Sequence, residues 1–253
     1  MTVVATVGTT HPLAFAGLGF ALLALAHEGV RPVCVVAGVS AQDALHVRAR
    51  TAIEPAVIRA QFDALRDAEV DAFHVGALLS AETVRAVAEA LDDFPGAPVV
   101  VDPVLAASGG DALGDTATRC ALRDLLFPRA ALVTPNLDEA GAFVGRAVRD
   151  VAAMRDAAEE LVGCGAHAVL VKGGHLAGDA IDVLADGYVT RELVAPRLDA
   201  DVRGTGDLLA TSIAACLANG ANVAEAIEHA RRRVRNALAT GVPFAGTRVT
   251  SFG

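Results

Sequence analysis

The sequence lacks an apolar run long enough to cross a membrane, although 53% of its 253 residues are hydrophobic and its mean hydropathy is +0.46. The best candidate, from Pro12 to Ala26, is interrupted by Gly17 and Gly19 and falls short of the roughly 20 residues that a spanning helix needs. We therefore interpret this run as a buried helix rich in alanine and leucine. No positively charged leader with a cleavage signal stands before it, so we expect a cytoplasmic protein that does not contact a membrane.

Cysteine and positive charge are both scarce. The four cysteines show no C-x-x-C spacing, which argues against a zinc site or a redox pair and fits a reducing compartment. Lys and Arg number 21 against 30 Asp and Glu, which gives a formal net charge of −9. Because a general negative field repels polyanions, we expect no nucleic-acid partner. The basic run from Arg231 to Arg235 lies in a predicted helix and is interpreted as a solvated helix face.

Short β-branched runs alternate with Ala/Leu-rich stretches through most of the chain. This alternation predicts an α/β fold, a doubly wound and mostly parallel sheet with helices on both faces. The predicted strands are Thr2–Val7, Pro32–Ala37, Ala72–Val75, Val99–Val101, Ala131–Val133 and Ala168–Val171. The clearest predicted helices are Phe15–Glu28, Pro55–Asp67, Ala81–Asp93, Thr116–Leu126, Met154–Gly163, Asp207–Asn219 and Val223–Leu238. Near residues 181–193 an Asp-Gly pair between two strand-like runs predicts an antiparallel edge hairpin. With no linker or repeat visible, residues 1–253 are expected to form a single domain.

The segment from Arg203 to Ala210, RGTGDLLA, joins a glycine turn to a carboxylate and an apolar helix start. Gly204 and Gly206 allow a tight turn, and the free N–H groups of a helix start can bind an anion. Asp207 then has two interpretations. It is either a helix-start residue favoured by the helix dipole or a general base beside a transferring phosphate.

Other polar side chains follow the predicted strands, at the sheet edge where open α/β folds bind ligands. Asp102 follows Val99–Val101 and is either a structural cap or a ligand of Mg²⁺. Asn136 and Glu139 come three residues apart where a helix begins, so they form either a capping box or a site that organises Mg²⁺ and its waters.

The chain contains a single lysine, Lys172. It ends a predicted strand and is followed by Gly173 and Gly174, which permit close approach of a ligand to the backbone. Lys172 is either an exposed strand-end residue or a cation that neutralises phosphate, and its being the sole lysine favours the second interpretation.

Together these motifs resemble the ribokinase-like kinases, most closely the hydroxymethylpyrimidine/phosphomethylpyrimidine kinases of thiamine biosynthesis. The resemblance rests on TPNLDEA at 134–140, VLVKGGH at 169–175 and GTGD at 204–207. VDPV at 101–104, SGGDAL at 108–113 and VSAQD at 39–43 extend it over nearly the whole chain. These motifs are specific for the kinase fold and less specific for the pyrimidine branch.

The resemblance implies roles for the residues of the glycine turn and of the metal site. Asp207 would be the general base on the substrate hydroxyl. The backbone of Gly204, Thr205 and Gly206 would form the anion hole for the transferring phosphoryl group. Asn136 and Glu139 would organise Mg²⁺ at the nucleotide, with Asp102 and Glu139 as the metal-binding carboxylates.

It also implies the ligands, an ATP molecule and a small heteroaromatic alcohol. Lys172, with Gly173 and Gly174, would approach the nucleotide phosphates. Gln42 would hydrogen-bond the edge of the pyrimidine, with Gly8 close to the same substrate. A homodimer is expected on the same grounds.

Two departures from the family pattern bear on the substrate. The usual GSDPSGGAG segment is GTTHPLAFAG at 8–17, so His11 replaces an aspartate; it is either a loop hydrogen-bonder or a substrate contact. The pyrimidine branch often has GTGC where this chain has Asp207, a residue shared with pyridoxal kinases. Because a base helps to phosphorylate a hydroxyl but not an existing phosphate, Asp207 supports the first phosphorylation and leaves the second open.

Three alternatives to a pyrimidine kinase therefore remain. The first is a pyridoxal/pyridoxine kinase, which would share the mechanism and differ in the substrate pocket. The second is a catalytically silent vitamer- or nucleotide-binding protein. The third is a sugar or nucleoside kinase of the same fold, against which the lack of a long insertion between Val30 and Ile53 argues.

Overall fold

The computed structural model describes residues 1–174, 176 and 178–252, so His175 of the VLVKGGH motif lies outside the described residues. Its main feature is a nine-stranded sheet with the order β3-β2-β1-β4-β5-β6-β7-β8-β9. The strands are β1 Val3–Thr10, β2 Arg31–Gln42, β3 Val47–Ala52, β4 Ala72–Val75, β5 Val99–Val101, β6 Leu132–Val133, β7 Val169–Val171, β8 Ala180–Ala185 and β9 Thr190–Ala195. The strands from β2 to β7 in this order run parallel. At the far edge β8 and β9 run antiparallel, which confirms the predicted fold and its edge hairpin.

Helices cover both faces of the sheet. They are α1 Gly17–His27, α2 Pro55–Asp63, α3 Ala81–Leu91, α4 Thr116–Ala121, α5 Leu137–Val144, α6 Val151–Val162, α7 Thr205–Ala218 and α8 Val223–Thr240. The alternating side chains of one strand divide between two cores: Val99 and Val101 pack with α2, α3, α5 and α6, whereas Val100 packs with α1, α7 and α8. The carboxyl ends of the parallel strands therefore open between the two helical layers.

The apolar run near the N-terminus supplies α1, in which Leu18, Phe20 and Leu25 are buried. Leu25 packs into the core that contains Val4 and Val100 of the sheet, whereas Phe20 packs with residues of α7 and α8. The helix begins at Gly17 and not at Phe15, because Ala16 is in an extended conformation, with φ −156° and ψ 176°, which regular helix cannot include. In the part of the chain that the structure describes, no helix has both the length and the apolar character to cross a membrane.

The largest difference from the sequence-based prediction is a hairpin at the other edge of the sheet. The strand predicted over Pro32–Ala37 continues to Gln42, and β3 returns antiparallel to it, so the interval between Val30 and Ile53 does contain an added structure. The Asp43 carboxylate closes the turn by accepting the backbone N–H groups that follow it. β3 was not predicted because its sequence, VRARTA, contains only small or singly spaced apolar residues and is exposed or half-buried throughout.

Smaller differences concern element ends. The predicted helix Thr116–Leu126 is α-helical only to Ala121 and continues as a π-helical turn over Leu122–Leu126. The predicted helix from Pro55 ends at Asp63, before a short 3-10 turn. An unpredicted hairpin of β10 Val242–Phe244 and β11 Thr247–Val249 lies near the C-terminus.

The basic run on α8 is not simply a solvated face. Arg231 pairs with Asp182 of β8 at 2.8 Å, and Arg233 pairs with Glu28 at 3.0 Å. Arg235 donates to a backbone carbonyl just after β9. The prediction is wrong for these three residues, because α8 packs beside α1 and the β8–β9 edge, where acceptors distant in sequence meet its arginines.

Candidate functional site

The glycine turn caps the start of α7 and leaves its backbone N–H groups open to a ligand. Gly204 is the N-cap residue, with a φ of 85°, and no side chain caps the helix. A Cβ at Gly204 would lie 2.5 Å from the carbonyl oxygen of Phe15, so this position requires glycine. Because the first N–H groups of a helix have no partner inside it, the turn is a site for an anion.

A buried ion pair faces this turn. Lys172 Nζ lies 2.8 Å from Asp102 Oδ1, and the hydroxyl of Thr134 donates to the same oxygen at 3.0 Å. Asp102 is 2% exposed and the Lys172 side chain 17%. A Cβ at Gly206 would lie 3.5 Å from Lys172 Nζ and 3.7 Å from Asp102 Oδ2. The anion turn, the lysine and the carboxylate thus meet within one small space.

Asn136 and Glu139 form the predicted capping box at the start of α5. The Glu139 N–H donates to Asn136 Oδ1 at 2.9 Å, and the Asn136 N–H donates to Glu139 Oε2 at 2.8 Å. The pair lies beside Lys172, whose backbone N–H donates to the carbonyl of Pro135 and whose backbone bridges to Asn136. Glu139 is 5% exposed, so its carboxylate belongs to the same enclosed cluster.

The charges in this cluster shift one another's pKa values. Burial raises the pKa of Asp207 to about 6, and the Asp102 carboxylate adds to the rise, whereas the Gly17 N–H and Lys172 oppose it. Burial also raises the pKa of Glu139 to about 7, with Lys172 opposing and Asp102 adding. Burial by itself lowers the pKa of Lys172, but the surrounding carboxylates outweigh this, so its pKa lies above the ordinary value and it stays charged.

Three carboxylates around one lysine leave an excess of negative charge, which suits a hard divalent cation with oxygen ligands. In the chain outside residues 175, 177 and 253, no three His, Cys, Asp or Glu side chains converge closely enough to hold a metal by themselves.

The predicted substrate residues lie near the carboxyl ends of β1 and β2. Gly8 lies in β1, where a Cβ would lie 3.7 Å from the backbone of Ala77. Thr10, the last residue of β1, is paired with Val39 of β2. Gln42 therefore lies beyond the carboxyl end of β1.

His11 is 7% exposed and packs on Phe15 with ring centroids 4.7 Å apart. Its ring interacts with the backbone of Ala16, but neither ring nitrogen makes a hydrogen bond of normal geometry to a described residue. Burial lowers its pKa, so the ring is neutral near pH 7. The segment that follows it reaches the cluster of buried carboxylates, because the Gly17 N–H donates a hydrogen bond to the Asp207 carboxylate.

Sequence analysis missed the residue that fixes the lysine-glycine turn. Asp182 of β8 accepts the Gly173 N–H at 3.0 Å and is itself paired with Arg231. No local signal marks Asp182, because its partners lie on a different strand and on α8.

Gly173 provides a stability test of this turn. A Cβ there would collide with the carbonyl oxygen of Ile181, whereas a Cβ at Gly174 would meet no atom of the described residues within 4 Å. We expect Gly173→Ala to lower the free energy of unfolding by about 1–3 kcal/mol, the usual cost of overpacking. The matched variant Gly174→Ala should change it by less than about 0.5 kcal/mol. Urea denaturation of both variants measures the difference, and equal stabilities would contradict the close approach of β8.

Comparisons with known proteins place this site in context. The family model described as phosphomethylpyrimidine kinase matches residues 14–250. The thiamine biosynthesis bifunctional protein of Geobacter sulfurreducens is 41% identical over 213 residues, which cover 83% of this chain and 44% of that longer protein. The hydroxymethylpyrimidine/phosphomethylpyrimidine kinase of Streptomyces coelicolor is 39% identical over 233 residues, covering 91% of this chain and 86% of the relative.

Among solved structures, the pyridoxal kinase of Staphylococcus aureus in complex with AMP-PCP superposes with a TM-score of 0.92 and 25% identity. The match covers all of this chain and 94% of the other. The fold is therefore shared with a pyridoxal kinase, whereas the two sequence relatives are named as a thiamine biosynthesis protein and a hydroxymethylpyrimidine/phosphomethylpyrimidine kinase.

Proposed function

Because this chain belongs to the phosphomethylpyrimidine kinase family and is a phosphotransferase, we propose that it phosphorylates the hydroxymethyl group of 4-amino-5-hydroxymethyl-2-methylpyrimidine with ATP. The family and kinase chemistry expected from the sequence are confirmed, which removes the silent binding protein as an alternative. The observation that supports the proposal most strongly is the meeting of the open α7 turn with Lys172 and Asp102. That arrangement supplies the positioning and charge neutralisation that phosphoryl transfer requires.

In the proposed reaction Asp207 accepts the proton of the substrate hydroxyl. The hydroxyl oxygen bonds to the γ-phosphorus of ATP as the bond from that phosphorus to the bridging oxygen breaks, and ADP leaves. The N–H groups of Gly204, Thr205 and Gly206 hold the transferring phosphoryl oxygens. A pKa near 6 keeps Asp207 mostly ionised at pH 7, yet more basic than an exposed aspartate.

On the donor side, Lys172 neutralises phosphate charge, with Gly173 and Gly174 close to the nucleotide. Asp102 and Glu139, with Asn136, would hold Mg²⁺ and its waters. When bound, the cation would neutralise charge on the phosphate oxygens. The complex of a structural relative with AMP-PCP, an ATP analogue, supports the choice of nucleotide.

At the acceptor end we assign the substrate ring to the space near Gly8, His11 and Gln42. The neutral His11 ring can offer one N–H donor and one acceptor to an aminopyrimidine. Because both ring nitrogens are enclosed by protein, a direct contact requires a shift of the turn at 11–16, which contains the strained Ala14.

We also propose that residues 1–253 form one kinase domain and that the protein is a homodimer. Sedimentation of the purified protein tests the second point, with the mass of two chains expected and the mass of one chain contradicting it.

The function is tested by ADP release with four acceptors assayed separately: hydroxymethylpyrimidine, its monophosphate, pyridoxal and pyridoxine. We expect turnover on the pyrimidine to exceed that on the two pyridine compounds. Pyridoxal kinase is the second candidate, because Asp207 is shared with that branch and the fold superposes on it. Activity confined to pyridoxal and pyridoxine would overturn the pyrimidine assignment.

The raised pKa of Asp207 predicts the pH dependence of the rate. The base acts in its ionised form, so kcat/KM for ATP should fall about tenfold per pH unit below about 6 and level off above it. Asp207→Glu, which keeps a carboxylate, should retain an acidic limb, whereas the residual activity of Asp207→Asn should lack it. If the acidic limb of the pH profile were unchanged in Asp207→Asn, the titrating group would belong to a ligand and not to Asp207.

A further inference from the structure

Within the connection from β7 to β8, the described residues 172–174, 176 and 178 are here called the nucleotide loop. In its described part, three backbone carbonyls accept hydrogen bonds from one side chain, Arg197. Its Nε donates to Gly178 at 2.7 Å, its Nη1 to Gly174 at 2.7 Å and its Nη2 to Leu176. A single guanidinium therefore hydrogen-bonds the backbone at Gly174, Leu176 and Gly178.

This arrangement depends on the shape of the arginine head group. The guanidinium is planar, always charged and presents its donors in a fixed fork, so it can serve three acceptors at once. The ammonium of a lysine is a point charge on a flexible stem and cannot reproduce this fork. Bonds from a charged donor are also stronger than bonds between neutral groups.

Arg197 is connected to the rest of the site through its own segment. It follows β9 in the segment that leads to the glycine turn at the start of α7. The carbonyl of the preceding residue, Pro196, accepts a hydrogen bond from Arg235 of α8 at 2.6 Å. At the other end of the loop, Asp182 and Arg231 hold Gly173. The nucleotide loop is thus tied to α8 at both ends and to the segment that carries the anion turn.

We propose that Arg197 is a positioning residue that holds the nucleotide loop in the shape that receives the phosphates of ATP. The proposal rests on the proposed placement of ATP at Lys172–Gly174. Arg197 makes its bonds to backbone carbonyls and not to the acceptor side of the site, so it sets nucleotide affinity and leaves the acceptor site unchanged.

The test compares Arg197→Ala and Arg197→Lys with the matched control Arg191→Ala. Arg191 is an exposed arginine of the neighbouring strand, paired only loosely with Asp186 at 3.4 Å. Arg197→Ala should raise KM for ATP about tenfold, with KM for the pyrimidine and kcat within about twofold of wild type, because it removes binding energy common to ground and transition states. Arg197→Lys should not restore KM, and Arg191→Ala should behave as wild type. Unchanged KM for ATP in Arg197→Ala, or an equal rise in Arg191→Ala, would overturn the proposal.

Calorimetric titration of each variant with Mg·ADP, without acceptor, separates this proposal from the proposed function. Loss of Mg·ADP affinity in Arg197→Ala supports the role of Arg197 even where the wild type fails to phosphorylate the pyrimidine. If the wild type phosphorylates the pyrimidine and Arg197→Ala binds Mg·ADP as tightly as the wild type, the positioning role of Arg197 is refuted. The proposed kinase function is then unaffected. Hydrogen exchange of the loop amides supplies a second measurement: faster exchange is expected in Arg197→Ala, and equal exchange contradicts the proposal.

Discussion

Replacing Asp207 by asparagine is expected to lower kcat for phosphorylation of the hydroxymethyl group by about 10³-fold, within the range that a general base contributes. The substitution keeps the size of the side chain and removes its ability to take a proton. Nucleotide affinity should stay within a few fold of wild type, because the backbone N–H groups of the turn remain. Single-turnover transfer from labelled ATP and Mg·ADP titration measure the two quantities.

The second phosphorylation makes this prediction specific to a base. The acceptor there is an ionised phosphate oxygen, which has no proton to lose, so Asp207→Asn should lower its rate less than about tenfold. The ratio of the two rates in one variant therefore distinguishes proton transfer from a general loss of the site. An equal loss in both steps would show that Asp207 acts through its charge or its contact with Gly17. If the wild type carries out only the first step, the comparison moves to Asp207→Glu, which should retain more activity than Asp207→Asn.

Replacing Lys172 by methionine should damage both activity and stability. Loss of the cation removes charge neutralisation at the phosphates and should lower kcat/KM by about 10²–10³-fold, as removal of one preorganised donor does. It also leaves the buried Asp102 without its partner, so the free energy of unfolding should fall by about 2–3 kcal/mol. Because Lys172 lowers the pKa values of Asp207 and Glu139, its loss should move the acidic limb of the rate profile to higher pH.

A double variant separates the two effects of this lysine. Adding Asp102→Asn to Lys172→Met removes the unpaired charge, so stability should return to within about 1 kcal/mol of wild type while activity stays low. Arg155→Met serves as the control, because it breaks an exposed ion pair with Glu192, worth about 0–1 kcal/mol, far from the turn. Recovery of activity together with stability in the double variant would contradict a direct role for Lys172.

The sequence predicted the parallel sheet because its strands are short, apolar and separated by amphipathic helices. It also predicted that Asp102, Asn136 and Lys172 would lie close together, since each follows a strand and parallel strands end at one edge. The capping box at Asn136 and Glu139 was predicted as an alternative to metal binding, and the structure has its two reciprocal hydrogen bonds. The role of Asn136 and Glu139 in holding a metal stays a proposal.

What could not be predicted depends on contacts between distant residues. The bond of Lys172 to Asp102, 70 positions away, requires knowledge of which strands are neighbours. The hydrogen bonds of Arg197 to the nucleotide loop depend on the path of the segment after β9, which brings Arg197 beside that loop. The hairpin of β2 and β3 was missed for a local reason, since β3 is exposed or half-buried and its sequence contains no large apolar residue other than Val47.

The central claim is that the phosphoryl group of ATP is transferred to a pyrimidine at the site that contains Asp207. A competition assay tests this claim most directly. Wild-type protein is incubated with Mg·ATP and equal concentrations of hydroxymethylpyrimidine and pyridoxal, and the products are quantified by mass spectrometry, with Asp207→Asn in parallel. We expect pyrimidine monophosphate to form about 100-fold faster than pyridoxal phosphate, a ratio that a polar pocket can supply, and both products to be nearly absent with Asp207→Asn. Pyridoxal phosphate as the main product, or equal pyrimidine phosphorylation by the variant, would contradict the account.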